Sequence, residues 1–353
     1  MALTKVSTGV VDMSTSTGGL VIAKGNGTDV SSGGERPTCN ATILGSIREN
    51  TDSGVNKVEV CTSTGWQFLE EVGPTKAPLT VDYLVVAGGG GASWGGGGAG
   101  GLRTSFGTGN NNGGLQPVGA VLTMSAAVPY TVVVGSEGAA GDGQNTVGGS
   151  GASSSFSTIT SDGGLGGKSN GQQGDGGKAG GTSVYGFAGG YNNGNSGSGG
   201  GGAGAVGAAQ SNNTGGSDGG AGLEVNIIGG TGNFYAGGGG GGNRDGSPTG
   251  SGGSGGGGDA SSSYSANNAQ PGTANTGGGG GGASYNNASS WRTARAGGSG
   301  VVILRYPSAY TINTTQIGTD LSVTNDNSVS GYTITTIICA NPATTGTGTI
   351  TFA

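Results

Sequence analysis

The stretch Val81–Leu102, VDYLVVAGGGGASWGGGGAGGL, joins an apolar strand directly to two tracts of four glycines. The valines, Leu84 and Tyr83 favour a β-strand at its start. Glycine loses more backbone freedom on folding than any other residue, so Gly88–Gly91 and Gly95–Gly98 cannot be ordered by local preference. The partners of these side-chain-free backbones therefore decide the fold.

Apolar strands next to glycine tracts recur along the sequence as far as residue 307. The chain of 353 residues contains 90 glycines, of which 11 precede residue 88, 4 follow residue 300 and 75 lie between. The apolar strand at Gly300–Pro307 leaves the last glycine-rich segment, as Val81–Ala87 enters the first. We expect these two bracketing strands to pair and to close one domain. Further long tracts lie at Gly199–Gly202, Gly237–Gly242, Gly255–Gly258 and Gly277–Gly282.

Two states are open to the glycine tracts. Gly/Ser-rich segments can remain flexible linkers. Alternatively, many tracts can bundle as polyglycine II helices with three residues per turn, whose N–H and C=O groups bond sideways to neighbours; only glycine permits this approach. At about 3.1 Å per residue, Gly277–Gly282 spans roughly 19 Å. Bundling is favoured because apolar strands interrupt and close the region, which a linker would not need.

Further strand signals lie between the bracketing strands. Val121–Met124 and Tyr130–Val134 are predicted to form a hairpin that docks on the bracketing strands. Ser153–Thr160 is also strand-like. The sequence predicts an all-β fold without α-helix, in which a β-sandwich base carries a glycine-rich extension built as a polyglycine II bundle.

Three regions are predicted along the chain. Residues 1–78 form short strands, and within them Gly45–Leu69 contains a hairpin and a third strand, with Trp66 over the join. Residues 79–307 form the glycine-rich domain. Residues 308–353 form a small C-terminal β module with strand-like alternation at Thr333–Ile338.

Two segments carry a resemblance to a known family. Gly45–Leu69 contains a Gly-Ser-Ile-Arg, Lys-Val-Glu-Val, Gly-Trp pattern that resembles a β-motif of phage tail-fibre shafts. The order of strands and glycine tracts from Tyr83 to Pro307 is similar to the glycine-rich domain of bacteriophage tail-fibre adhesins, over about residues 80–307. The resemblance implies a rigid stack of polyglycine helices whose connecting loops contact the bacterial surface.

The resemblance also implies partners and a location. We expect a tail-fibre tip protein of the virion, made in the host cytoplasm, that binds a host surface receptor, either a glycan or an outer-membrane protein. We further expect a homotrimer that contacts other fibre or tail proteins of the virion.

Composition excludes several classes of function. The net charge is −6, only 13 residues are Lys or Arg, and none is His. Nucleic-acid binding needs clustered cations, so we expect no nucleic-acid partner. The lack of His removes the commonest general base and metal ligand, and the acidic residues show no paired-carboxylate or calcium-loop spacing. We predict a protein that is not an enzyme and has no cofactor and no metal.

Cysteines and apolar runs bear on the cellular location. Cys39, Cys61 and Cys339 include no CxxC pair; free thiols are favoured, and a disulfide between Cys39 and Cys61 stays open. No apolar run has the length of a signal-peptide core or of a membrane span, so we expect no membrane insertion. A virion protein released by lysis needs neither a signal peptide nor a membrane span.

Aromatic residues in polar loops are the candidates for receptor contact. Such rings beside Asn and Ser suit sugar faces or protein loops, because they supply contact area at a low entropy cost. The alternative for each ring is that it caps the glycine bundle or packs on the β-base. The candidates are Tyr185, Phe187, Tyr191, Phe234, Tyr235, Tyr264, Tyr285 and Trp291.

Two other functions remain open from the sequence. A purely structural fibre or head-decoration protein would share the scaffold and lack a receptor. Ice binding is a third, because glycine helices with small polar faces can present flat arrays; the long Asn-rich loops and the N-terminal strands count against it.

Overall fold

The fold is taken from a computed structural model, which describes residues 47–50, 57–62, 65–68, 78–169, 176–191, 196–210, 215–244, 249–262, 268–286, 290–291 and 293–353. Before residue 78, and at 286, 290 and 291, it describes the backbone. By their contacts the residues divide into two units, Met1–Lys76 and Ala77–Ala353.

The described residues form β-strands and no α-helix, which confirms the predicted all-β class. One 3-10 turn lies at Gly113–Leu115. The strands are β1 Ile47–Asn50, β2 Lys57–Thr62, β3 Gly65–Phe68, β4 Thr80–Val86, β5 Leu102–Thr104, β6 Leu122–Thr123, β7 Pro129–Val134, β8 Ser154–Phe156, β9 Ile159–Ser161, β10 Leu223–Glu224, β11 Phe234–Tyr235, β12 Tyr285–Asn286, β13 Ser290–Trp291, β14 Val301–Pro307, β15 Ile312–Asn313, β16 Leu321–Asp326, β17 Tyr332–Cys339 and β18 Gly346–Phe352.

The first unit contains a three-stranded antiparallel sheet in the order β1-β2-β3. Ile47 pairs with Val60, and Cys61 pairs with Trp66. This is the hairpin and third strand that the sequence predicts. The predicted cover by the Trp66 side chain, and Cys39, lie outside the described part of the chain.

A β-sandwich forms the base of the second unit. One sheet has the order β16-β17-β14-β4-β5, with β6 also paired to β4, and the other has the order β15-β18-β7-β8-β9. The two sheets enclose a core to which β4 contributes Val85, β7 contributes Val132 and β18 contributes Phe352. Burial of these apolar side chains is the main stabilising term for the base.

The bracketing strands β4 and β14 pair as predicted. They are antiparallel, with Ile303 opposite Leu84 and Val301 opposite Val86. Alternate residues of a strand point to opposite faces. In β4, Tyr83 and Val85 therefore face the sandwich core, while Leu84 and Val86 face a second apolar cluster on the other side. Both faces of these strands are buried, which explains their nearly continuous apolar sequences.

The glycine-rich segments are extended rods that bond sideways to one another. In the rod at 95–101, the N–H of Gly95 donates to the carbonyl of Lys168 at 3.0 Å, and the N–H of Gly98 donates to Leu165 at 2.9 Å. A residue and the third residue after it thus bond to the same neighbouring rod. This is the period of a helix with three residues per turn, as the polyglycine II prediction requires.

The rod at 95–101 is enclosed on all sides by other rods. Its next two N–H groups point elsewhere: Gly96 donates to Ser198 at 3.0 Å and Gly97 donates to Gly280 at 2.9 Å. Its carbonyl oxygens accept bonds from three further rods. The six neighbours, in chain order, are 87–92, 162–168, 176–181, 196–204, 236–242 and 277–283.

Close approach of backbones explains why the rods consist of glycine. A Cβ atom on Gly97 would lie 2.0 Å from the carbonyl oxygen of Gly90, and one on Gly239 would lie 1.9 Å from that of Gly280. Neither neighbour is a side chain that could turn away. Any larger residue at these positions would force whole rods apart.

Two predictions about the base are wrong. The strands at 121–124 and 130–134 do not form a hairpin, because β6 pairs with β4 in one sheet and β7 pairs with β8 and β18 in the other. The segment 308–353 is not a separate body either. It supplies β16 and β17 to one sheet and β15 and β18 to the other, and every residue of β14 pairs with a residue of β17.

Candidate functional site

The direction of the rods places their turns at two ends of the bundle. The rod at 87–92 continues β4 away from the sandwich, and the chain turns at Ser93 and Trp94. The rod at 95–101 then runs back, antiparallel to 87–92, and leads into β5. The rods that follow alternate in the same way until 293–300 returns to β14. We call the end opposite the sandwich the far end; its described residues include Trp94, Lys168 and Tyr191.

Backbone hydrogen bonds order several of the described residues at the far end. The N–H of Gln210 donates to the carbonyl of Tyr191 at 3.0 Å, and the N–H of Tyr285 donates to that of Asn243 at 3.0 Å. The carbonyl of Lys168 accepts from Trp94 at 3.2 Å. From the direction of the rods, two of the predicted contact residues, Tyr191 and Tyr285, both lie at the far end, although 94 positions separate them in the sequence.

A buried polar layer lies beneath this surface. The backbone N–H of Asn243 donates to the Ser284 hydroxyl oxygen at 3.0 Å, and that of Ser284 donates to the Ser261 hydroxyl oxygen at 3.0 Å. All three residues are fully buried, as is Ser93, and the Trp94 ring is 1% exposed. Hydrogen bonds between buried groups, such as these from backbone N–H groups to serine hydroxyls, fix geometry. The layer holds the ends of the rods from which the far-end turns start.

One far-end turn is ordered by a single carboxylate. Asp142 accepts hydrogen bonds from the backbone N–H groups of Gln144, Asn145 and Thr146, at 2.9, 2.7 and 2.8 Å. The bonds from Thr146 and Asn145 are the main cause that lowers the pKa of Asp142 to about 2. The turn therefore keeps a negative charge over the whole physiological pH range.

A short aromatic hairpin lies at the far end. β12 and β13 are antiparallel, with Tyr285 directly opposite Trp291. The Arg244 guanidinium carbon lies 5.6 Å from the centroid of the Tyr285 ring, within the range of a cation–π contact. Arg244 also forms a β-bridge with Tyr285. The hairpin combines two aromatic residues with one cation.

A groove lies on the side of the bundle between three rods. It has a volume of about 260 Å³, and glycine backbone forms much of its lining. Lys168, Lys178 and Tyr191 also line it, together with Leu165. The Tyr191 side chain is 59% exposed and Leu165 is 38% exposed. The groove therefore offers two cations, an aromatic ring and an aliphatic side chain to solvent.

The other predicted residues are elsewhere. Tyr185 and Phe187 are half-buried near the sandwich, and the Arg103 guanidinium carbon lies 4.6 Å from the Tyr185 ring centroid. Phe234 is 40% exposed, in the β10–β11 hairpin that packs on the outer face of the β4–β14 sheet. Tyr235 is only 8% exposed and belongs to the second apolar cluster, so we assign it to the core. Tyr264 and the Trp291 side chain lie outside the described part of the chain.

Sequence reasoning missed the cations of both sites. Residues 77–353 contain only two lysines, Lys168 and Lys178, and both line the same groove. That scarcity was visible in the sequence, but nothing in it showed that the two positions meet. Arg244 was missed for the same reason, because 41 residues separate it from Tyr285.

A second groove, of about 640 Å³, lies beside the C-terminal part of the bundle. Glu137, Asp259 and Gln270 line it, and burial raises the pKa of Glu137. In the described ranges no three His, Cys, Asp or Glu side chains come together as a metal site. Nor does any helix among the described residues have the length and apolar character to cross a membrane.

The fold and the far end define a class of protein: an all-β molecule in which a sandwich carries a bundle of glycine rods. The sequence matches the model of the glycine-rich domain family over residues 62–307. This is more than half of the chain, which therefore belongs to that family. No curated protein and no solved structure matches the chain.

Proposed function

We propose that this chain is a receptor-binding protein of a bacteriophage tail-fibre tip, in which the far end of the glycine bundle binds a host cell-surface receptor. In this proposal the first unit attaches to other fibre or tail proteins of the virion, and the protein acts as a homotrimer. The receptor is a surface glycan or an outer-membrane protein.

One observation carries the proposal: rods with a fixed period of three residues return to one base and leave their turns together at the opposite end. A scaffold of this kind suits recognition, because binding residues on rigid supports lose little conformational freedom when a partner binds. The aromatic hairpin at Tyr285 and Trp291 adds side chains of the type that dominates binding energies at interfaces.

Adsorption of particles tests the proposal. The double substitution Tyr285→Ala and Trp291→Ala removes both hairpin rings and leaves the rods and the buried polar layer in place. We expect the rate of adsorption to host cells to fall by at least about tenfold, as for interface aromatics worth more than about 1.4 kcal/mol. The measurement is the loss of free particles over time.

A matched control comes from the base. Tyr332→Ala removes a ring that is 39% exposed and lies on β17, away from the far end. We expect particles with this change to adsorb normally. Electron micrographs should show intact fibres for both variants. Normal adsorption by the hairpin variant on intact fibres would contradict the receptor role and favour a purely structural fibre protein.

A further inference from the structure

We propose that the side groove lined by Lys168, Lys178 and Tyr191 binds a negatively charged saccharide, one that bears a carboxylate or a phosphate group. The inference rests on the proposed receptor role and narrows the receptor to a chemical class. It concerns residues other than those of the aromatic hairpin.

The distribution of charge is the first argument. The chain has a net charge of −6, and only 9% of its residues are charged. Even so, both lysines of residues 77–353 line one groove. Two lysines that line one groove in a chain of this composition favour an anionic ligand there.

The geometry of Lys178 shows that its ammonium group keeps binding capacity. Its Nζ donates to the carbonyl oxygen of Ser183 at 2.9 Å. An ammonium group has three N–H donors, so this bond fixes the end of the side chain and leaves further donors for a ligand. A cation that is already positioned loses less rotamer freedom on binding.

The aromatic residue is the second argument. Among the described side chains Tyr191 is the most exposed aromatic, at 59%. A tyrosine ring covers the apolar C–H face of a sugar, and its hydroxyl can bond to sugar hydroxyls. Leu165 extends this apolar surface at the same groove. A simple inorganic anion would make no use of either side chain, whereas a charged sugar would use both.

The shape of the groove is the third argument. Its volume of about 260 Å³ is close to the lower end of the range for small-molecule sites, roughly 300 Å³. Gly166, Gly177 and Gly190 contribute lining without side chains. The ligand can therefore approach the backbone closely. One or two sugar rings, rather than a protein segment, fit these dimensions.

Titration of the full-length protein with defined saccharides tests the proposal. The probes are 3′-sialyllactose, which carries a carboxylate, mannose 6-phosphate, and the neutral sugar lactose. We expect at least one charged probe to bind in the millimolar range or tighter, with lactose at least tenfold weaker. Affinity should fall as salt is raised, because the lysines are partly in solvent. Ligand-observed NMR should show transfer from aromatic protons to sugar-ring protons.

Three variants locate the site. Lys168→Gln combined with Lys178→Gln should lower the affinity for the charged probe at least tenfold. Tyr191→Ala should remove the NMR transfer signal. Lys57→Gln, which removes one positive charge from β2, and Tyr332→Ala, on the sandwich, should leave affinity unchanged. Lys168 contributes its backbone carbonyl to the bundle, so the glutamine substitution keeps that bond.

Four results would overturn the inference. They are equal affinity for lactose, no binding of either charged probe, full affinity in the double lysine variant, and inorganic phosphate binding as tightly as mannose 6-phosphate. The last would show anion binding without sugar recognition. The Tyr285 and Trp291 double variant separates the two proposals, because it should lose adsorption while the purified protein still binds the saccharide.

Discussion

Glycine acts in this molecule through the absence of Cβ. Rod positions tolerate no side chain where the nearest atoms belong to the backbone of another rod, as at Gly97 and Gly239. Where a rod faces solvent, every third residue is larger and exposed, and the residues between are glycines. Leu165 and Lys168, on either side of Gly166 and Gly167, show this pattern. The identity of each residue in a rod thus reports which way it faces.

Substitution of one glycine tests this relation. Gly97→Ala would place a methyl group 2.0 Å from the Gly90 oxygen and 2.9 Å from the Gly280 nitrogen. Two rods would have to move, so we expect a loss of about 3 kcal/mol or more, at the upper end for overpacking. Thermal unfolding measures it, at roughly 2–4 °C per kcal/mol for a unit of this size.

The control for that substitution is Gly149→Ala on an outer rod. There the nearest atom to the added Cβ, the Ala139 nitrogen, lies 3.0 Å away. A small shift of that rod accommodates the methyl group, so the unfolding temperature should change much less. Equal effects of the two substitutions would be inconsistent with a close-packed centre.

A rod gains order only from its neighbours. Each lateral hydrogen bond contributes about 1 kcal/mol net, and each ordered residue costs about 1–2 kcal/mol of backbone entropy, so an isolated rod is unstable. The rod at 95–101 bonds to six others, while the outer rod at 249–254 carries exposed residues such as Ser251 and Ser254. Stability therefore decreases from the centre of the bundle outward.

Amide hydrogen exchange checks this gradient. We expect the N–H groups of 95–101 to exchange only through a large cooperative opening, and those of 249–254 to exchange through local opening. The two rods differ in sequence, GGGGAGG against TGSGGS, so each measured rate is compared with the intrinsic exchange rate of its own sequence. Exchange of the central rod at the rate of the outer one would contradict the bundle and, with it, the rigid support of the far end.

The sequence predicts which segments form strands better than it predicts which sheet a strand joins or which end of the bundle a residue reaches. The pairing of β4 with β14 follows from two apolar strands that bracket one glycine-rich region, and it is confirmed. The hairpin prediction for 121–134 is wrong because a turn between two strands does not determine whether they enter the same sheet. Tyr191 directly follows Gly190 and Tyr235 lies two residues before Gly237, yet the first is at the far end and the second is in the core. Their places depend on the number of rods that precede them.

The whole second unit folds as one body because its last strand closes the base. Phe352 of β18 is fully buried and meets the Tyr306 ring of β14 edge to face, with centroids 5.2 Å apart. β14 in turn continues directly from the last rod. The C-terminal residues, which the sequence presents as an addition, complete the core on which the bundle rests.

Phe352→Ala tests this dependence. Loss of the ring from the sandwich core should cost about 3–5 kcal/mol. We expect the bundle and the base to lose stability together, seen as faster global exchange of the central rod and a lower unfolding temperature. Phe234→Ala, at a ring 40% exposed, serves as the control and should have a small effect. Unchanged exchange of the rods in the Phe352 variant would mean that residues 308–353 are an independent module after all.

The crosswise orientation of the rod hydrogen bonds has a mechanical consequence. A tensile force applied to the turn at Ser93 and Trp94 acts along the rods, whereas the bonds between rods point across them. Such a load shears many bonds at once instead of opening them one after another. The bundle should consequently be stiff under traction and should rupture in a single event, at a force well above that needed to peel one strand from a sheet edge.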